Sequence, residues 1–69
     1  MAGDERAAAE KRIAEIGKRA NALRQAGFYS TDEVRWLAGY VRQPDAPLVE
    51  VELLLTNAEQ IVERERVAA

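Results

Sequence analysis

AAEKRIAEIGKRANALRQAG, residues 8–27, and LVEVELLLTNAEQIVERER, residues 48–66, decide the fold. In the first, Ala9, Ile13, Ile16, Ala20 and Leu23 recur at alternating steps of four and three. In the second, Leu48, Val51, Leu54, Leu55, Ala58, Ile61 and Val62 repeat the pattern over a wider face. Such steps line up side chains on one side of an α-helix. Two helices of this kind, joined by a shorter segment, bury their stripes against each other. The chain therefore reads as all-α: a three-helix domain in which long helices one and three pack antiparallel and a shorter helix two crosses between them.

Boundaries follow from capping chemistry. Helix one is expected over about 4–26, with Asp4 as N-cap, Glu5 near the positive dipole end and Gly27 as the closing glycine. Gly17 interrupts it at a cost of about 1 kcal/mol against alanine. It is either a tolerated defect or, with Ala14, room for a bulky neighbour such as Trp36. Ser30 and Glu33 have capping-box spacing, so helix two is expected over about 31–43, stopped by Pro44. Helix three is expected over about 46–66, capped by Asp45, with Pro47 in its first turn and Val67-Ala68-Ala69 fraying. On helical wheels, Arg12 and Arg19 flank the first stripe and Glu52, Glu59 and Glu63 flank the third-helix stripe. Antiparallel packing would bring Arg12 toward Glu63, and Arg19 toward Glu59 or Glu52.

Sixty-nine residues make room for a single domain, and one this small is marginal without a staple or a partner. No cysteine is present, which excludes disulfides and thiolate metal sites, and no histidine, the commonest metal ligand and general base. Tight packing or oligomerisation remain. A net charge of −2 is too balanced to imply a nucleic-acid or membrane partner. No apolar run approaches the roughly 20 residues that span a bilayer. The first residues lack a basic, then apolar, signal pattern. A cytoplasmic location is the expectation.

Catalytic machinery is missing from the residue set. Ser–His and Cys–His pairs are impossible, and Ser30 and Thr31 read as capping residues. There is no EF-hand spacing and no phosphate-cradling glycine loop. The one serine lacks the Asp-Ser-Leu context of acyl carrier proteins. No enzyme activity, cofactor, metal or small-molecule substrate is expected.

Tyr29-Ser30-Thr31-Asp32-Glu33-Val34-Arg35-Trp36-Leu37-Ala38-Gly39 is similar to the opening of a MerR-type winged-helix domain. That resemblance implies a short turn and a basic recognition helix next. The chain instead continues with Pro44, Asp45 and Pro47, then Glu50 and Glu52, which oppose phosphate contact. A second reading, a DNA- or RNA-binding regulator, would rest on Lys11, Arg12, Lys18, Arg19 and Arg24 of helix one. Val67-Ala68-Ala69 resembles the small apolar ends that ClpXP-type proteases recognise.

Helix two holds the clearest functional signal. Val34, Leu37, Ala38 and Val41 share one face, yet at ~100° per residue Trp36 and Tyr40 project away from it. Val49 and Leu53 likewise fall outside the main stripe of helix three. Either helix two is sandwiched obliquely, so that Trp36 and Tyr40 close the ends of the same core, or a single core leaves much of this surface wet, and exposed apolar patches mark partner sites. The expected interface residues are Trp36, Tyr40, Phe28, Tyr29, Val49 and Leu53. The expected function is non-enzymatic protein binding: a small intracellular regulator or inhibitor of bacterial or phage type, occluding or bridging a partner and acting as a homodimer.

Overall fold

The computed structural model describes residues 2–68 and, among them, forms three helices and no strand: α1 Ala2–Gln25, α2 Thr31–Tyr40 and α3 Leu48–Ala68. The all-α, three-helix architecture is as expected. α1 begins at Ala2, so Asp4 and Glu5 lie in its first turn and Asp4 is not the N-cap. It closes at Gly27, the one positive-φ residue among the described residues (φ 82°), in a Schellman motif. Phe28 N–H donates to the Leu23 carbonyl at 2.9 Å and Gly27 N–H to the Arg24 carbonyl at 3.0 Å.

α2 opens on the predicted capping box. Glu33 N–H donates to Ser30 Oγ at 3.1 Å, and Ser30 N–H donates to the Glu33 carboxylate at 2.9 Å. It stops at Tyr40, three residues short of the expected Gln43. Pro44 bars Gln43 from helical geometry, and the chain tightens into i→i+3 turns, Arg42 N–H to Gly39 and Gln43 N–H to Tyr40. α3 starts at Leu48, not Ala46, because a following proline disfavours helical geometry at Ala46. The Pro47 carbonyl accepts the first helical bond, from Val51 at 3.1 Å, so Asp45 is not the cap and Pro47 precedes the first turn. The C-terminal end stays helical to Ala68. Ala69, part of the tail singled out above, lies outside the described residues.

The long helices run parallel, which corrects the antiparallel expectation. The Arg12 guanidinium grips both Glu52 carboxylate oxygens, with its Nε at 3.2 Å from Oε2. Seven residues further along both helices, Arg19 grips Glu59 in the same way, at 3.0 and 2.6 Å, and reaches Thr56 Oγ1 at 3.0 Å. The same step on both helices means the same direction. Two chain reversals restore the original heading: α2 returns antiparallel to α1, and α3 runs with α1 again. Arg12 therefore meets Glu52, not Glu63. The two bridges have the spacing of flanking pairs in a parallel coiled coil. That register sets Ile13 level with Leu48, Ile16 with Val51, Ala20 with Leu55 and Leu23 with Ala58, so large side chains face small ones in the last two layers.

Ile16, Ala20 and Leu23 of α1, Leu37 and Val41, and Val51, Leu55 and Ala58 of α3 form the buried core. Ile13, Tyr29, Val34, Tyr40, Leu48 and Val62 pack against it. α1 lies close to both partners, whereas no Cα of α2 comes within 8 Å of a Cα of α3; these two meet through side chains. Leu54, counted in the third-helix stripe, is consequently 53% exposed. The molecule measures 48 × 21 × 15 Å, lengthened by the exposed first turns of α1 and the exposed end of α3.

Gly17 does not make room for Trp36. It borders a shallow hollow with Ala14 and Ala38, while Trp36 lies on the opposite flank of α2. A Cβ at position 17 would meet nothing within 4 Å. Gly17→Ala should therefore raise stability by about 1 kcal/mol, through helix propensity alone; denaturant melts of the two proteins read it, and a loss would mean the hollow is occupied.

Hydrogen bonds from Arg12 and Arg19 hold the Glu52 and Glu59 carboxyls below their ordinary value of 4.5. A depressed folded-state value favours folding above the unfolded value and loses that contribution as pH falls. The melting temperature should drop as pH is taken below about 4.5, and Glu52→Gln with Glu59→Gln should flatten that limb of the profile. The exposed, solvent-screened position of these pairs keeps the effect modest.

Candidate protein interface

Local chemistry places an aromatic pair on the outside of α2. Trp36 and Tyr40 are four residues apart, so their rings lie one above the other on one helix flank. They stack with centroids 5.1 Å apart and planes 8° from parallel. Trp36 is 66% exposed and Tyr40 is half-buried against the core. Stacked pairs are worth about 0.5–1.5 kcal/mol beyond area burial. The stack favours an indole laid against Tyr40 and leaves it unburied.

The flank they occupy faces α3 across the gap between the two helices. Two adjoining hollows open there. One is lined by Tyr29, Asp32, Glu33, Trp36, Leu37 and Leu54. The other is lined by Trp36, Leu37, Tyr40, Pro47, Glu50, Val51 and Leu54. Trp36, Leu37 and Leu54 belong to both, so the two hollows form one groove with an apolar floor. Every charged residue lining it is acidic. Burial, and secondarily the nearby Glu33 charge, push the Tyr29 phenol above its ordinary range.

Four of the six residues singled out from the sequence sit at or beside this groove. Trp36, Tyr40 and Tyr29 line it, and Phe28, 38% exposed, packs edge-on against Tyr29 with centroids 5.2 Å apart. Val49 and Leu53 are exposed at 60% and 64%, but lie one turn apart on the outer face of α3, away from the groove. Leu54 was missed. Its place in the wide apolar stripe of helix three reads as core, and only the separation of α2 from α3 leaves it open.

The cations of helix one are largely engaged. Arg12 and Arg19 bind Glu52 and Glu59, Lys18 lies 3.6 Å from Glu15, and Arg24 donates to Asn21 at 3.0 Å. The helix that follows the MerR-like stretch carries Glu50 in its first turn and packs along α1. Among the described residues, no cluster of acidic side chains converges as a metal site, and no helix is long and apolar enough to cross a membrane. No protein-family model, curated protein or solved structure matches the chain.

An exposed indole contributes little to folding. Trp36→Ala should cost no more than about 1.5 kcal/mol, the worth of the stack it removes, whereas a buried core aromatic would cost about 3–5 kcal/mol. Chemical denaturation distinguishes the two.

Proposed function

We propose that this chain is a non-enzymatic protein-binding module, a small intracellular regulator or inhibitor that occludes or bridges a partner protein through the groove between α2 and α3. The observation that carries this reading is the exposed Trp36–Tyr40 stack beside Leu54. Trp and Tyr are the residues most enriched at binding hot spots, and they act from preformed apolar pockets. Preorganisation lowers the ordering cost of association. Salt-bridged Arg12 and Arg19 weigh against a nucleic-acid surface on helix one, because cations held by carboxylates release fewer counterions on binding phosphate.

Affinity capture with quantitative mass spectrometry tests the reading. Wild type should retain a protein at stoichiometric level that Trp36→Ala and Leu54→Ser both lose and Lys11→Gln keeps. Indistinguishable captures from all four would sink the groove as the working surface. Light scattering on the purified chain reads the homodimer expected from the sequence, as a mass near twice 7.7 kDa.

A further inference from the structure

The charges around the groove identify the kind of partner it fits, an inference that rests on reading the groove as a protein-binding site. Carboxylates are favoured in the first turn of a helix, where the dipole is positive. α2 and α3 both obey this, with Asp32 and Glu33 in one first turn and Glu50 in the other. Because the two helices run in opposite directions, those first turns fall at opposite ends of the groove. Asp32 and Glu33 lie beside Tyr29, and Glu50 lies beside Pro47. Asp32 and Glu50 form no ion pair with the described residues. No lysine or arginine lines the groove, whereas the hollows elsewhere on the surface carry Arg6, Arg19, Arg42 or Arg66.

We propose that the groove receives a basic amphipathic helix from a partner protein. Two apolar side chains one turn apart would enter the two hollows that share Trp36 and Leu54. Lysines or arginines beyond them would reach Asp32 and Glu33 at one end and Glu50 at the other. Size agrees: α2 walls the groove over ten residues, about 15 Å or three helical turns. This is the helix-in-groove mode of recognition, and an arginine over the Trp36 face adds a cation–π contact.

A second copy of this chain fits the groove badly. In a two-fold dimer the same patch faces itself, so the acidic ends, Asp32 with Glu33 and Glu50, would be brought against acidic ends of the other copy.

Trp36 is the only tryptophan, so its fluorescence reports the groove directly. The probe is a synthetic helical peptide of about three to four turns, with two leucines one turn apart flanked by lysines; its counterpart carries glutamates instead. The lysine peptide should shift Trp36 emission saturably, bind roughly tenfold or more tightly than the glutamate peptide, and weaken with added salt. Asp32→Asn with Glu50→Gln should cost it several-fold in affinity. Equal binding of the two peptides overturns the basic partner and leaves the groove as a protein site. Binding of neither overturns the proposal; if the Trp36→Ala capture also matches wild type, the function reading falls with it. A doubled mass with an emission shift on concentrating the free protein would place a second copy in the groove and overturn the proposal.

Discussion

Ile16, Ala20 and Leu23 meet Val51, Leu55 and Ala58 along a seam that repeats every seven residues, and the direction of that seam positions everything else. Leu55, fully buried, lies level with Ala20, and Leu23 lies level with Ala58. Pairing large with small in this way lets two helices approach without voids. The Arg12–Glu52 and Arg19–Glu59 bridges straddle the same seam. Half-exposed pairs add little stability, but these two bridges form together only when α1 and α3 run in the same direction at this register. Orientation is the main contribution of those charges.

A parallel α1–α3 pair needs a returning segment, and α2 is that segment. It docks on α1 through Leu37 and Val41 and stays clear of the α3 backbone. The contact left open, between α2 and α3, becomes the groove. Tyr40 and Leu37 anchor one wall in the core, so the exposed indole above them stands on a fixed base. The functional surface is thus a consequence of which helix pair the core leaves unclosed.

The acidic ends of the groove arise from the same constraint. Asp32, Glu33 and Glu50 each have a local reason to be where they are, in the first turn of a helix. Antiparallel α2 and α3 convert two local preferences into one acidic groove. Helix one is net basic, but its two bidentate arginines face α3, so the cationic character apparent in sequence is partly neutralised in the fold.

Local rules made much of this legible in the sequence. Helical periodicity marked the three helices, the Ser30–Glu33 box and Gly27 marked two ends, and the wheel position of Trp36 marked it as outside the core, whereas Tyr40, expected beside it, packs half-buried against the core. These depend on neighbours within about four residues, which sequence displays directly. Only the tertiary structure decided that α1 and α3 are parallel, that Leu54 is exposed while Leu55 is buried, and that Val49 and Leu53 lie apart from Trp36. Those facts depend on how the chain reverses at Gly27 and at Pro44–Pro47, and on the distance between two helices separated by a turn. Periodicity records which face of a helix is apolar; it holds no record of which neighbour covers that face, or from which direction.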